Sequence, residues 1–114
     1  MRGWRRSLTR LKQNKVLSLL GLAARSRNVV SGEFATENSV KEGKAKLVMV
    51  AEDASDNTKK LFTNKCTYYH VPLVFYGEKE ALGHAMGKEV RSSLAITDSG
   101  FAKALMEQME TVWR

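Results

Sequence analysis

The sequence predicts an α/β protein, a three-layer α/β/α sandwich with a small mixed sheet of about four strands. Helical patterns of apolar residues alternate along the chain with short, continuous, valine-rich runs. Runs of that kind are too short for helices and are typical of strands buried on both faces. With 114 residues, 43% of them hydrophobic and 27% charged, the chain has the length and composition of one globular domain.

The first predicted element is a helix from Thr9 to Ala24. Its apolar positions recur at spacings of three to five residues and form one stripe: Leu8, Leu11, Val16, Leu19, Leu20 and Ala23. The run from Val16 to Ala24 also resembles the apolar part of a secretory signal peptide behind a basic start. We favour a helix of the folded domain, because a signal peptide implies a disulfide-permissive compartment and the chain has one cysteine.

A short extended piece and a second helix come next. Val29-Val30 predicts the extended piece, and the helix is predicted from Glu33 to Glu42. Ser31 or Gly32 can serve as its N-cap, and the glutamate in its first position complements the helix dipole. Gly43 is placed to end the helix.

The remaining elements alternate in the same way. The run KLVMVA predicts a central strand, and a helix then begins at good capping residues. The only proline lies at the beginning of the next strand, where its missing N–H does least harm. The predicted elements are a strand at Lys46–Ala51, a helix from Ser55 or Asp56 to about Tyr69, a strand at Val71–Tyr76, a helix at Glu78–Met86 ending at Gly87, a strand at Ser93–Thr97, and a helix at Phe101–Val112 capped by Asp98 or Ser99.

The positive charge is concentrated at the start of the chain. Of the net charge of +7, six units come from residues 1–15, which contain no acidic residue: Arg2, Arg5, Arg6, Arg10, Lys12 and Lys15. We therefore divide the chain into a basic N-terminal arm, residues 1–12, and a single domain, residues 13–114. The arm either adds non-specific phosphate contacts or is a solvated terminus. Because the rest of the chain is nearly neutral, a nucleic-acid site on the domain has to be local and shaped.

Motifs for cofactor binding are absent from the sequence. There is no P-loop and no glycine-rich dinucleotide motif, so nucleotide binding has no support. Two histidines and one cysteine give no metal-ligand spacing, and we expect no metal and no other cofactor. The single cysteine favours a reducing compartment, the cytoplasm. We expect no membrane span, since no stretch reaches about 18 apolar residues.

Two pairs of residues are candidates for enzymatic chemistry. Glu52-Asp53 follows a predicted strand, where α/β enzymes place catalytic carboxylates, although such a pair more often caps the next helix. Cys66 and His70 lie four residues apart on one helix face. Without a third group to orient the base, we interpret them as core and boundary residues. An enzyme that uses Glu52 and Asp53 is the weakest of three functional alternatives.

The order of several segments is more informative than any single segment. Three pieces stand in succession: Val30-Ser31-Gly32, then Val40-Lys41-Glu42-Gly43, then KAKLVMVAEDA at residues 44–54. Further pieces follow: Lys65-Cys66, Val71-Pro72, Ala81-Leu82-Gly83, Ala85 and Gly87. In order and spacing these pieces resemble the ribosomal protein L7Ae/L30e family over about residues 16–104. SDNTKKLFTNKCTYY at residues 55–69 and GFAK at residues 100–103 look most like its bacterial YlxQ-type branch.

The resemblance implies an α/β/α sandwich that binds kink-turn RNA, a sharp bend flanked by tandem sheared G·A pairs. It implies that the start of the second helix, Ser31-Gly32-Glu33, contacts this RNA. The start of a helix presents unpaired N–H groups and a positive dipole end to phosphate or base acceptors. Gly32 leaves room for a close approach, although an ordinary small-residue cap would have the same sequence.

The chain departs from the family pattern directly after this glycine. The pattern Asn-Glu-x-x-Lys reads the guanines of the G·A pairs in the family, and by register its positions are Phe34, Ala35 and Asn38 here. Asn38 can still bond a base edge, and Glu33 can accept from a guanine amino group. Phe34 could stack on a base if it is exposed, although a phenylalanine is more often core. The lost lysine predicts weaker binding or a different junction.

A second contact surface is implied at residues 87–92, the loop after the short helix. In the family, this loop packs an apolar residue and backbone groups against the extruded nucleotide of the bend. Val90 is the apolar candidate here, Lys88 and Arg91 could hold phosphates, and Glu89 lies between them. An ordinary solvated loop would look similar. Arg25, Arg27 and Lys41 are expected to flank the helix start and to extend the phosphate track.

The sequence therefore predicts an RNA-binding protein, ribosome-associated or regulatory, without enzymatic activity. Its expected partner is structured RNA of the kink-turn type, ribosomal or messenger, and it is expected to be a cytoplasmic monomer. The alternative from another class is a protein-interaction module that kept the fold but lost RNA recognition, as the substitutions after Gly32 would allow.

Overall fold

The computed structural model describes residues 15–113. The predicted basic arm and the predicted start of the first helix lie outside the described residues. The elements in chain order are α1 (residues 15–25), β1 (Val29–Ser31), α2 (Glu33–Lys41), β2 (Leu47–Val50), α3 (Asp56–Tyr69), β3 (Leu73–Phe75), α4 (Lys79–Ala85), β4 (Ser93–Ile96) and α5 (Ser99–Trp113).

The four strands form one mixed sheet in the order β1-β4-β2-β3. Strands β2 and β3 are parallel, whereas β4 runs antiparallel to β1 and β2. In this register Ser31 lies opposite Leu94, and Val50 lies opposite Ser93. The carboxyl ends of β1, β2 and β3 and the start of β4 therefore meet at one edge of the sheet, which we call the site edge.

The core forms where helices cover the two central strands. Every residue of β2 and β4 is buried, as the continuous apolar runs predict. Helix α2 packs on β1 and β4, α3 packs on β2 and β3, and α2 and α3 contact each other. The largest side chains without exposure include Phe62, Leu20, Leu47, Met49, Leu82, Leu94, Ile96 and Leu105. Each contributes about 1.5–3 kcal/mol by burial. The α/β/α sandwich and its mixed four-stranded sheet are as predicted.

The apolar run near the chain start belongs to this core. Val16, Leu20 and Ala23 of α1 have no exposed surface and pack with the sheet side chains. Their burial agrees with the interpretation of the run as a helix of the folded domain. None of the helices in residues 15–113 has the length and apolar character that a membrane crossing requires.

Capping residues set the ends of α3 and α5. The Ser55 side chain accepts a hydrogen bond from the Thr58 amide at 3.2 Å, which fixes the start of α3. His70 adopts a left-handed conformation with φ of 59° and ends the helix. Asp98 accepts from the Phe101 amide at 2.9 Å, so α5 begins at Ser99, two residues before the prediction.

The third strand is shorter than predicted. It spans Leu73–Phe75, whereas Val71–Tyr76 was expected. The Val71 amide donates to the Cys66 carbonyl and so completes the end of α3 instead of entering the sheet. The Pro72 carbonyl accepts from the Val48 amide, which leads the chain into the strand. Helix α2 also ends one residue early, at Lys41, and α4 lies one residue inside its predicted bounds at each end.

Candidate nucleic-acid interface

The junction between β1 and α2 is a single glycine. Gly32 has φ of 92° and ψ of 154°, a combination that is essentially restricted to glycine. Its amide donates to the Ser93 carbonyl at 3.0 Å, and its carbonyl accepts from the Thr36 amide at 3.0 Å. Gly32 therefore belongs to the site edge of the sheet through its amide and to the helix through its carbonyl.

The amino end of α2 is open. Gly32, the N-cap, makes no side-chain capping bond, and the amides of Glu33, Phe34 and Ala35 have no acceptor among the described residues. A Cβ atom built on Gly32 would meet no atom within 4 Å. This end therefore presents unpaired N–H groups and a partial positive charge to whatever approaches it.

The loop at residues 87–92 is held in place by hydrogen bonds. The Lys88 amide donates to the Gly83 carbonyl at 2.8 Å, and the Arg91 amide donates to the Lys79 carbonyl at 3.0 Å. The Arg91 side chain donates through Nε to Ser31 Oγ at 3.0 Å and through a terminal nitrogen to the Val90 carbonyl at 2.7 Å. Arg91 thus links the loop to the strand that precedes Gly32.

The helix end and the loop border the same cavity. This surface cavity of about 340 Å³, which we call the α2 cavity, is lined by Ser31, Gly32, Glu33, Thr58, Val90, Arg91, Ser92 and Ser93. The structure thereby brings together two surfaces that the sequence predicted separately. The Ser93 hydroxyl is buried and has no hydrogen-bond partner among the described residues.

Two residues of the α2 cavity were not predicted from the sequence as site residues. Thr58 comes from the first turn of α3, where its amide bonds to the Ser55 cap. Ser93 is the first residue of β4 and lies beside Gly32 through the bond between their backbones. Only the packing of α2 on α3 and the pairing of β1 with β4 place them here, and no local motif marks either residue.

Basic side chains border the cavities next to the helix end. Arg25, Arg27 and Lys88 line a cavity of about 350 Å³ that also touches Ser31. Lys88 and Arg91, with Glu89, line another cavity of about 580 Å³. Four cationic side chains therefore lie along the surface from the end of α1 to the start of α2, as a phosphate track requires.

Two apolar side chains are exposed at the same place. Phe34, in the first turn of α2, is 80% exposed, and Val90 in the loop is 43% exposed. The alternative that Phe34 is a core residue is therefore wrong. Asn38 lies one helical turn after Phe34 on the same face of α2 and is partly buried. Exposed aromatic rings can stack on unpaired bases.

Lys41 does not flank the helix start, and this expectation is wrong. It lies in the last turn of α2, about 12 Å along the helix axis from Glu33. Its ammonium pairs with the Glu37 carboxylate at 3.0 Å. Lys41 can contact RNA only if the ligand also covers the side of α2 that carries Phe34 and Asn38.

Two of the candidate catalytic residues, Asp53 and Cys66, are placed as structural residues. Asp53 accepts the Lys79 amide at 2.8 Å and so caps α4, whereas the sequence suggested the next helix, α3. Cys66 is buried, and its burial raises the pKa of the thiol to about 11. The thiol is therefore protonated and unreactive at neutral pH. Within residues 15–113 no three His, Cys, Asp or Glu side chains are grouped to hold a metal ion.

Comparisons with known proteins match most of the chain. Residues 14–106 match the model of the ribosomal protein L7Ae/L30e/S12e/Gadd45 family. The RNA-binding protein YlxQ of Bacillus subtilis is 47% identical over 92 residues, which cover 81% of this chain and 92% of that protein. The large ribosomal subunit protein eL8 of Cenarchaeum symbiosum is 30% identical over 97 residues, 84% of this chain and 77% of that protein.

Solved structures share the fold. A protein of unknown function from Bacillus halodurans C superposes with a TM-score of 0.82 at 38% identity, over 84% of this chain and 97% of that chain. The 15.5kD RNA binding protein of Giardia lamblia gives a TM-score of 0.72 at 27% identity, over 91% of this chain and 87% of that chain.

Proposed function

The chain belongs to the ribosomal protein L7Ae/L30e/S12e/Gadd45 family, and from that premise we propose that it is an RNA-binding protein that recognises a sharply bent, kink-turn-like RNA. Its relatives include proteins named as RNA-binding and ribosomal. In this proposal it acts by binding alone, as a cytoplasmic monomer without a cofactor. Its partner is structured ribosomal or messenger RNA, and its role is ribosome-associated or regulatory.

The observation that carries the proposal is the open amino end of α2 beside the ordered loop. Three unpaired amides, a glycine without a side chain and a cavity bordered by Arg91 and Val90 lie together. Such an end attracts phosphate oxygens and base acceptors, because it carries donors and a partial positive charge. A straight duplex keeps its bases paired, so it cannot place both its backbone and an unpaired base in a concave site of this kind. A bent RNA exposes its backbone and unpaired bases at the same place.

The polar and aromatic side chains at the helix start suggest how bases are read. Glu33 can accept from a guanine amino group, and Asn38 can both donate to and accept from a base edge. The exposed ring of Phe34 favours stacking on an unpaired base. Since the cationic residue of the family pattern is absent, we expect weaker binding to a standard kink-turn or preference for a different junction.

Binding measurements with two RNAs test the proposal. A kink-turn duplex and a straight duplex of equal length are compared by fluorescence anisotropy across a salt series. A shape-specific binder prefers the bent RNA at every salt concentration, whereas a binder that uses only its charge shows a steep salt slope and no preference. Equal affinity for the two RNAs in the folded wild-type protein would contradict the proposal.

The substitution Gly32→Asp is the first variant to measure. It places a carboxylate in the open space where the RNA oxygens are expected, so we predict that the preference for bent RNA falls at least tenfold. The strained backbone is expected to cost about 1–3 kcal/mol of stability. Thermal unfolding of the variant confirms that it is folded at the assay temperature.

Gly43→Asp is the matched control for this variant. Gly43 also has a positive φ, 75°, and a Cβ atom placed on it would likewise meet no atom within 4 Å, but it follows the opposite end of α2. The control therefore adds the same charge at another glycine with positive φ, away from the α2 cavity. Unchanged RNA discrimination in the folded Gly32→Asp protein, or an equal loss in Gly43→Asp, would remove the helix end from the binding site.

A protein-interaction module is the second candidate function. The exposed Phe34 and Val90 favour it, because aromatic and apolar groups at a cavity rim also anchor protein partners. This alternative predicts no discrimination between the bent and the straight RNA at any salt concentration. The same binding measurements therefore separate the two candidate functions.

A further inference from the structure

A second surface with features of a nucleic-acid site lies at the far end of α3. Tyr68 is 73% exposed and Tyr69 is 39% exposed, and their rings meet edge to face with centroids 4.8 Å apart. A cavity of about 330 Å³ is lined by Asn64, Lys65, Tyr68 and Tyr69. We call these four residues the tyrosine platform. None of them belongs to the α2 cavity.

The rings of the tyrosine platform are not needed for the core. The inner face of α3 packs through Phe62 and Cys66, which are both buried. The platform residues project from the other faces of the helix, and the two rings contact each other across the surface. Two large aromatic side chains exposed side by side form a contiguous patch, a feature that binding surfaces share.

The platform carries the groups that hold single-stranded RNA. Tyrosine rings stack on bases of any sequence, the Lys65 ammonium attracts phosphate, and the Asn64 amide can bond a base edge. Lys60 is exposed one turn before Asn64 on the same side of the helix. Lys60 and Lys65 form no ion pair among the described residues, and α3 contains no acidic residue after Asp56.

The combination of side chains favours RNA over a protein partner. Protein interfaces are enriched in tyrosine but depleted in lysine, whereas RNA-binding grooves combine aromatic rings with cations. Helix α3 carries Lys59, Lys60 and Lys65 against one acidic residue, Asp56, so the surface beside the rings is locally positive and attracts a polyanion. Charge and ring chemistry together are therefore complementary to an unpaired polynucleotide.

Helix α3 connects the platform to the α2 cavity. Thr58, at the start of α3, lines the α2 cavity, and Tyr69 lies eleven residues further along the helix. Eleven residues of α-helix span about 16 Å. A strand stacked as in a duplex advances about 3.4 Å per nucleotide, so roughly five stacked nucleotides cover that distance. An RNA bound at the α2 cavity can therefore reach the platform with a short extension.

We propose that Asn64, Lys65, Tyr68 and Tyr69 form a second RNA site, which stacks unpaired nucleotides that extend from the bent element held at the α2 cavity. This inference rests on the proposed function for the connection between the two sites. It names the substrate more closely: a bent RNA with a single-stranded extension of about five or more nucleotides.

The experiment uses the full chain and three forms of one bent RNA: blunt, with a six-nucleotide unpaired 5′ extension, and with the same extension at the 3′ end. Affinities are measured by anisotropy at one salt concentration. A 2-aminopurine in the extension reports stacking directly through loss of its fluorescence. We expect one of the extensions to tighten binding about tenfold and to quench the 2-aminopurine.

Variants assign this gain to the platform. Tyr68→Ala should lose the gain and the quenching, yet bind blunt RNA as the wild type does, whereas Tyr68→Phe, which keeps the ring, should retain both. Leu22→Ala is the matched control, because Leu22 is also an exposed apolar side chain, 47% exposed on α1, and lies outside the platform. Circular dichroism and thermal unfolding verify the folding of each variant.

The outcomes separate this inference from the proposed function. If the wild type prefers bent over straight RNA but gains nothing from either extension, the platform inference is overturned and a protein-binding surface is indicated. If the extension still tightens binding to Tyr68→Ala, the platform inference is also overturned. The gain then comes from basic side chains outside the platform. If the wild type shows no preference for bent RNA, the proposed function fails on that comparison alone, whatever the extensions do.

Discussion

Cys66 and Tyr76 are polar groups enclosed by the core. Burial raises the pKa of the Cys66 thiol from 9.0 to about 11 and that of the Tyr76 hydroxyl from 10.0 to about 12, the latter with help from Glu52. An acidic group whose pKa is higher in the folded state destabilises the fold once the pH is high enough to ionise the group in the unfolded chain. Ionisation of these two side chains therefore destabilises the folded protein at alkaline pH.

The stability of the protein should fall as pH rises from about 9 to about 11. Below pH 9 the Cys66 thiol is protonated in both states and has no effect, while above its ordinary pKa only the unfolded chain ionises. We expect an extra loss of up to about 2 kcal/mol over that interval. Urea unfolding of the wild type and of Cys66→Ala at several pH values measures it, and a stability difference between them that does not vary with pH would contradict the prediction.

The sequence predicts what a single residue can do chemically, but it does not predict how exposed the residue is or which other residues lie beside it. The family resemblance pointed to Gly32, and the absence of a side chain there gave a physical reason, since it permits a close approach. The exposure of Phe34 was not decided by sequence, since a phenylalanine in the first helical turn can face either way. Thr58 enters the α2 cavity only through the contact of α3 with α2, which is a tertiary feature.

Helix α4 supports the loop of the candidate site through a close contact at one glycine. A Cβ atom on Gly83 would lie 2.6 Å from the Glu89 carbonyl oxygen and 2.9 Å from the Val90 Cα atom. These atoms belong to the backbone and cannot rotate away. The absence of a side chain at Gly83 therefore sets how closely the loop at residues 87–92 lies against α4.

Gly83→Ala should displace this loop and weaken RNA discrimination. The added methyl group forces the backbone near Val90 outward, at a cost of about 1–3 kcal/mol in stability. Because Val90 and Arg91 border the α2 cavity, we expect the preference for bent RNA to fall several-fold. Thermal unfolding and the anisotropy assay measure the two effects.

Gly21→Ala is the control for this prediction. Its Cβ would lie 2.8 Å from the Ala85 carbonyl oxygen, so it crowds the same helix away from the α2 cavity, and the Arg25 side chain stays at an ordinary contact distance of 3.9 Å. It should lower the melting temperature comparably and leave RNA discrimination unchanged. An equal effect of both variants on RNA binding would mean that the loop position is not what matters.

The spacing of apolar residues predicts where the helices and strands lie, whereas hydrogen bonds in the folded protein determine where several of them begin and end. The limits of α3 could be predicted because Ser55 is a strong cap and the apolar spacing is helical up to Tyr69. The start of α5 could not, since two capping residues were adjacent and only the structure shows that Asp98 is used. Asp53 caps a helix that begins 26 residues later, a partner that no local pattern reveals.

Most of the net positive charge of the molecule and the candidate binding site lie in different parts of the chain. The first 15 residues carry six of the seven net positive charges, whereas the α2 cavity lies on a domain that is nearly neutral overall. Clustered positive charge raises affinity for any polyanion, while an open helix end beside a loop discriminates between RNA shapes. We therefore expect affinity and specificity to be separable by truncation.

Removal of residues 1–12 should weaken RNA binding without altering the preference for bent RNA. The deletion takes away Arg2, Arg5, Arg6, Arg10 and Lys12 and leaves the region that matches the family model. Each lost phosphate contact reduces the slope of log affinity against log salt by roughly 0.7–0.9. Salt titrations with both RNAs test this, and a truncated protein that no longer distinguishes them would locate specificity in the arm.

The pairing of β1 with β4 has a consequence for synthesis on the ribosome. Ser31 and Gly32 emerge early, yet their partners Arg91 and Ser93 follow about sixty positions later, and the amide bond from Gly32 to Ser93 needs both. A nascent chain therefore cannot close this end of the sheet around Gly32 until β4 has been translated. Translation products that stop before β4 should consequently lack the α2 cavity.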